Sequence, residues 1–457
     1  MGLSLIFFLL FITIVVSIGF VSSREETEDG FMIAERKVEG VQVAATMSAA
    51  FFDGFMLSVY IAYIYQYGFS AIWMFVGLAL GLLLLKKYAW RIKQKADELK
   101  VYSMPEYFYR MLGKRNGLMF SLFLVLQFFL ILIVNLIVSS KVLSAIFPIS
   151  YVFALSIGGV IVLSYLLLAG FKAVVRTDFF QVIIGLIMAF TVSVYLFGKT
   201  HIPAAEFSLG ALGLGDTLGF VILGGLGMMA APDLWQRIFA TKDEKNLRRG
   251  LNYSVVILMV FAVVVSVIGL VTKQFFPGIL PEDALVTGFS QLLPFGLKEL
   301  GMILLYAVTL SSTDTVTFVV SSIFTRDLNN YTEKYSATSM RRLTRFFMVA
   351  FIILALIVAV SYHDIMQLGF SLASLNLALF PVVFGSLYWK LKQKAVFWSL
   401  VLGFLSILIL FVTSQLNPQN AIISLPVVLF SLIIFQKLLK ADSPPLAEVA
   451  ATVDLPK

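Results

Sequence analysis

Between Gly301 and Leu328 the chain reads GMILLYAVTLSSTDTVTFVVSSIFTRDL, apolar enough to cross a bilayer, yet with Ser311, Ser312, Thr313, Asp314, Thr315 and Thr317 at its centre. On a helix turning about 100° per residue, Val308, Ser311, Ser312, Thr315 and Ser322 share an arc roughly 100° wide. Hydroxyl and carbonyl oxygens without a fixed charge suit a weakly held hard monovalent cation, and sodium is the candidate. Ser and Thr on a helix also bond back to the carbonyl one turn earlier, or to a neighbouring helix, and then bind nothing. Asp314 weighs against that bland outcome, because a carboxylate inside a span costs at least about 3 kcal/mol and marks function. A second acid, Asp53, stands beside Gly54 inside another apolar stretch.

The composition says what must position these groups. Of 457 residues 60% are hydrophobic and only 13% charged, with a mean hydropathy of +0.95. No soluble domain has that balance. Thirteen apolar segments can be counted: Gly2 to Phe20, Val41 to Tyr65, Phe69 to Leu85, Gly117 to Leu143, Ile149 to Gly170, Val174 to Phe197, Thr217 to Leu234, Gly250 to Thr272, Leu297 to Phe324, Leu343 to Val360, Ile365 to Trp389, Ala395 to Ser414 and Ala421 to Leu439. At about 20 residues per span they predict an all-α integral membrane protein of a single polytopic domain. Cys is absent, which excludes disulfides, thiol nucleophiles and Cys-ligated metals. His201 and His363 both fall in connections, so His chemistry at membrane depth is not expected.

The net charge of +8 reflects topology rather than nucleic acid. The first segment lacks a basic n-region and a small-x-small cleavage site, and is read as a span with its N-terminus outside. If sides then alternate, every Lys and Arg of the 34 falls inside except Lys141, Lys199, Lys273 and Lys298. That asymmetry supports both the count and the orientation, with a cytoplasmic C-terminus. The tail, 442–457, is expected to be disordered and cytoplasmic. Gly and Pro interrupt the second span at Asp53-Gly54, the seventh at Gly224-Gly225-Leu226-Gly227 and Pro232, and the eleventh at Gly369. Interrupted spans five apart are what an inverted five-helix repeat presents, although membrane helices also carry Gly for close packing.

Four segments resemble the sodium/solute symporter family, which includes proline, glucose, iodide and sialic acid carriers. Ala169-Gly-Phe-Lys-Ala-Val-Val-Arg-Thr-Asp-Phe-Phe-Gln181 resembles the family's GG-x-x-A-V-x-x-T-D-x-x-Q junction, and Pro232-Asp-Leu-Trp-Gln-Arg237, followed by Ala240-Thr-Lys-Asp243, its D-x-W-Q-R segment. Ser311-Ser312 with Ile323-Phe-Thr-Arg-Asp327 matches the sodium-site helix, and Tyr102-Ser-Met-Pro-Glu-Tyr107 the motif of the first large cytoplasmic loop. The resemblance implies the LeuT-type fold: an extra helix at 2–20, inverted five-helix repeats at 41–197 and 217–389, and two further helices within 395–439.

Carried over by position, the resemblance implies a sodium site from the Ser311 and Ser312 hydroxyls, the Val308 carbonyl and carbonyls near Ala49 and Phe52. Phe51-Phe52 departs from the small or polar residues usual before the break, and Asp53 lies close to where proline carriers hold an essential Asp. Asp53 is then a cation ligand, a proton site or a contact for a substrate amine. Some members have a second sodium site, matched here by Asp178, Asp314 and Thr315. Two carboxylates near one site favour either a tighter cation or a shared proton. The candidate solute lining includes Phe51, Asp53, Phe55, Met56, Tyr60, Gly224, Met228, Gln367, Ser371 and Asn376, where Gly224 and Met228 replace the Trp and Tyr of proline carriers. This mostly apolar set leans toward a small amino acid or an organic acid with an apolar part.

The function expected is sodium-coupled symport of a small organic solute by alternating access in a bacterial inner membrane. Sodium is the coupling ion, and no organic cofactor, nucleic acid or obligate protein partner is implied. The alternatives are a proton-coupled carrier of the same fold and a solute sensor built on it. An intramembrane hydrolase lacks a base for Ser311, and a channel lacks a continuous polar pore.

Overall fold

A computed structural model describes residues 2–22, 36–167, 171–332, 337–362 and 364–440 of the chain. His363, most of the first connection and the tail after Asp442 lie outside the described residues. Apart from one isolated bridge, the described regular structure is helical.

Helix α1 (Gly2–Ser22) is the first apolar segment. The second is two half-helices, α2 (Gly40–Ala49) and α3 (Gly54–Tyr67), separated at 50–53. Asp53 makes that break. Its backbone is extended, and its carboxylate accepts the Met56 N–H at 2.7 Å, which starts a new helix rather than continuing the old one. A 3-10 turn, Gly68–Ile72, leads into α4 (Trp73–Leu99), which runs on past the expected end of the third span and is followed by the short α5 (Met104–Leu112). Then come α6 (Lys114–Ile146), α7 (Tyr151–Leu166) and α8 (Phe171–Phe197).

The seventh span repeats the device of the second. Helix α9 (Leu214–Gly227) ends in the 3-10 turn Met228–Ala230, and α10 (Pro232–Ala240) leaves it bent by 45°. Pro232 has no N–H and forces the extended backbone seen at Ala231, so the bend falls there. Helix α11 (Glu244–Phe275), the short α12 (Ala284–Leu292), α13 (Leu297–Thr332), α14 (Ala337–Ser361), α15 (Ile365–Ser386), α16 (Gln393–Val412), α17 (Pro418–Ala421) and α18 (Ser424–Leu438) complete the bundle.

Each of the thirteen expected segments therefore carries helix. Among the described residues eight helices are long and apolar enough to cross a membrane, or up to nine with the bent pair. The second and third segments run together through the Gly68–Ile72 turn, and the first, fifth and sixth carry α1, α7 and α8, helices of 21, 16 and 27 residues.

The connections sort to two ends. At one, Arg36 pairs with Asp97, Lys86 Nζ donates to Asn252, and the Asn116 amide donates to the Gln393 carbonyl. At the other, Lys141 pairs with Asp283 at 2.8 Å, and Lys273 with Glu206 at 2.8 Å. The first end gathers odd-numbered connections and the second even-numbered ones. Large apolar side chains stand exposed on the outer helices, among them Val160, Ile187, Ile357 and Phe430, where lipid would cover them.

Helices α4 and α9 touch backbone to backbone. A Cβ on Gly77 would come within 2.4 Å of the Phe220 carbonyl oxygen, one on Gly81 within 2.3 Å of the Gly224 oxygen, and one on Gly224 within 2.6 Å of the Leu78 nitrogen. Small residues are the means by which membrane helices approach this closely. Gly77→Val should therefore destabilise the protein by about 1–3 kcal/mol, the usual cost of overpacking, read as a lower thermal midpoint in detergent; an unchanged midpoint would show that the two helices can part freely.

Candidate ion and solute site

The break in the second span is held from outside as well as from within. Asn135, fully buried on α6, accepts the Phe55 N–H at 3.2 Å through Oδ1 and donates Nδ2 to the second oxygen of Asp53 at 3.4 Å. Gly54 lies against α13, where an added Cβ would sit 2.2 Å from a Thr309 methyl carbon. The inner half of the break is tied to the other broken span. Buried Arg237 on α10 donates Nε to the Thr46 carbonyl at 2.8 Å, and Val38 bridges to Ala240 and Lys242 through two 3.1 Å backbone bonds. Asn135 escaped the sequence reading. Its signal was a lone amide in the run ILIVNLIV, where an unpartnered side chain would be costly.

On α13 the polar residues divide. Thr309, Thr313, Thr317 and Thr325 bond back to carbonyls three or four residues earlier at 2.6–2.9 Å, the outcome in which hydroxyls bind nothing else. Ser312 reaches the Val308 carbonyl only at 3.4 Å. Asp314 is 5% exposed and accepts the Thr315 hydroxyl at 3.1 Å. The side chains of Ser311 and Asp178 lie outside the described residues. Phe52 and Val308 line one cavity of about 20 Å³, and the Phe52 ring stacks on Phe261 with centroids 3.8 Å apart. The Ala49 carbonyl accepts the Phe52 N–H at 3.1 Å.

A larger cavity, of about 100 Å³, lies between α3, α4, the α9 break and α15. Phe55, Met56, Gly224, Met228, Gly369 and Asn376 are among its walls. Asn376 faces Gly227, and its Oδ1 is enclosed without a hydrogen-bond partner. Five other expected lining residues are elsewhere. Tyr60 is fully buried, with its hydroxyl 2.7 Å from Ser266 Oγ. Gln367 binds the Phe411 carbonyl at 2.7 Å and pairs with Tyr362, while Ser371 donates to the Gln367 carbonyl. Phe51 is buried and Asp53 turns its oxygens to Met56 and Asn135, so neither lines this cavity. In each case the side chain is taken up by packing or hydrogen bonds beside the cavity.

A family model described as the Sodium:solute symporter family matches residues 31–207 and 215–403. A sodium/pantothenate symporter of Haemophilus influenzae is 25% identical over 434 residues, 88% of this chain and 89% of that protein. Sodium/proline symporter 2 of Staphylococcus saprophyticus is 27% identical over 443 residues, covering 88% and 85%. Among solved structures, a Na+-coupled sialic acid symporter in a substrate-bound outward-open state superposes with a TM-score of 0.81 over 96% of this chain and 99% of that one, at 17% identity. A nucleobase-cation-symport-1 family transporter in a closed conformation gives 0.60 over 92% and 95%, at 12% identity. At those identities the structural likeness speaks for the fold.

Removing Asn135 leaves the Phe55 N–H and one Asp53 oxygen unmet in a buried place, at about 1–3 kcal/mol for each unsatisfied group. Asn135→Ala should lower the thermal midpoint and speed hydrogen exchange at the amides of 54–57. An unaltered exchange rate there would mean that the break holds itself without α6.

Proposed function

The chain belongs to the sodium:solute symporter family, and from that premise we propose that sodium binds at the break of the second span while a small solute binds in the adjoining cavity, the two crossing together by alternating access. Coupled symport driven by sodium, and not catalysis, is the activity of that family. The observation that carries the assignment is the meeting of the 50–53 break with α13, where Gly54 rests directly on Thr309 and the break stands beside the Ser312 turn.

The last carbonyls of a half-helix lack donors from a following turn, and at the end of α2 the Ala49 carbonyl, which accepts the Phe52 N–H with one lone pair, keeps a second for an ion. The carbonyls of Ala49, Phe52 and Val308 and the hydroxyls of Ser311 and Ser312 would form the sodium shell. The long Ser312 bond to Val308 supports this, since that hydroxyl gives up little to turn toward an ion. Asp178, Asp314 and Thr315 form the second reading, a further cation or proton site, with Asp53 the other carboxylate able to carry a proton. The Thr315 hydroxyl on the Asp314 carboxylate supports it by gathering ion-binding oxygens beside the first stripe.

The cavity suits a solute of about amino-acid size with an apolar body. At about 100 Å³ it is somewhat smaller than the roughly 150 Å³ apolar cavity that accepts benzene. Rocking of one bundle against the other would open it to each side in turn. The gathering of basic, odd-numbered connections at one end supports an outside N-terminus and a cytoplasmic C-terminus, and the bacterial relatives support a bacterial inner membrane.

Sodium that binds only the folded state raises its stability by about 2.7 kcal/mol at 100 times the dissociation constant. The purified protein should therefore melt higher in sodium than in choline or potassium, and Ser312→Ala should lose the rise. Equal midpoints in sodium and choline would remove the ion from this break. For the second reading, Asp314→Asn should reduce the sodium taken up per solute in sealed vesicles or flatten the pH dependence of uptake. If neither changes, Asp314 serves packing alone.

A further inference from the structure

The exposed face of α4 changes character along its length. Leu80 and Leu83 stand exposed where lipid would cover them, and Lys87 and Arg91, also exposed, continue that face one and two turns beyond Leu83. The apolar run of the third segment ends at Leu85, so both cations lie where hydrocarbon gives way to headgroups. Trp389, exposed at the end of the eleventh segment, marks the same boundary, where indoles gather.

Other basic side chains on α4 have partners. Lys93 pairs with Asp97, as does Arg36, Lys95 pairs with Glu98, and Lys86 donates to Asn252. Among the described residues neither Lys87 nor Arg91 makes an ion pair. They lie over rings instead, Lys87 Nζ 5.6 Å from the centre of Tyr88 and the Arg91 guanidinium 5.9 Å from that of Tyr388. The two rings are joined, the Tyr388 hydroxyl donating to that of Tyr88 at 2.8 Å, so α4 meets the chain leaving α15 beneath the two cations. That chain is fixed in place: Gln436 on α18 donates to the Lys390 carbonyl at 2.8 Å and accepts the Lys392 N–H at 2.9 Å.

We propose that an anionic phospholipid binds here, with its phosphate on Lys87 and Arg91, its glycerol backbone against Trp389 and its acyl chains over Leu80 and Leu83. Charge complementarity selects the headgroup, because the protein leaves these two cations without a carboxylate. The leucines on the same face select a lipid over a soluble anion, since only a ligand with both phosphate and hydrocarbon covers the whole strip. Helices α4 and α15 both wall the cavity of about 100 Å³, so a lipid on the Tyr88–Tyr388 join braces two helices of the candidate solute site.

Dioleoylphosphatidylglycerol, titrated against the purified full chain in dodecylmaltoside with dioleoylphosphatidylcholine as the zwitterionic control, tests this through the thermal midpoint. The anionic lipid should bind at least about tenfold more tightly. Lys87→Gln/Arg91→Gln should lose that preference while keeping its midpoint in the zwitterionic lipid, and Lys87→Arg/Arg91→Lys should retain it. Lys245→Gln/Arg249→Gln, which removes two exposed charges at the same spacing on α11, should retain it as well. Should the double variant at 87 and 91 not fold, either single Gln variant decides by the same comparison. Equal responses to the two lipids, a preference that survives loss of Lys87 and Arg91, or one lost as readily in the α11 variant would overturn the site. An equal rise with free glycerol phosphate would overturn the lipid as its occupant.

Discussion

The constraint on which this molecule depends is that a polypeptide inside a bilayer has no water to satisfy a backbone group released from its helix. Two spans are nevertheless broken, and every feature of the candidate site follows from how the freed groups are met. Asp53 and Asn135 cap the outer half of one. Trp235 supports the other by donating its indole N–H to the Met229 carbonyl at 2.8 Å. Arg237 joins them, with its guanidinium on the Thr46 carbonyl at the end of α2. A buried guanidinium that lost these partners would be strongly destabilising, so the two inner half-helices are tied as a pair and not merely adjacent.

Once the breaks are tied, close packing fixes the space between them. Gly77, Gly81 and Gly224 let α4 and α9 meet at backbone distance, and Gly369 leaves room for the Phe55 ring, which would lie 2.5 Å from a Cβ there. The cavity remains where these glycines stop and Met228, Met56 and Asn376 begin. Its size is thus set by missing side chains on three helices. That explains how Gly224 lines it although it has no side chain to offer.

The sequence made the architecture legible because the signals were strong and local. Long apolar runs, Asp53-Gly54 and Pro232 each act through chemistry within a few residues, and each produced the expected helix or break. Span counting was less secure, because a turn such as Gly68–Ile72 joins two apolar segments with no polar residue longer than a Ser to mark it. Site membership was hardest to read. Tyr60, Gln367 and Ser371 have the right types at the right depth, yet their polar atoms are consumed by Ser266, Phe411 and Gln367. Those partners lie on other helices, or one turn away, and no local pattern announces them. Asn135 is the converse: a lone amide in an apolar run, whose worth appears only when the break it secures is brought beside it from 80 residues away.

The same geometry suggests how ion and solute feel one another. Phe52 belongs to the small cavity shared with Val308, and Phe55 and Met56 to the larger one. A single stretch of five residues therefore reaches both cavities. An ion on the Phe52 carbonyl would order that stretch, and the solute would then meet Phe55 already in place. Ordering one residue's backbone costs about 1–2 kcal/mol, and reciprocal coupling between two ligands is typically about 1–3 kcal/mol. Fixing one or two residues of the break is enough to supply the whole of it.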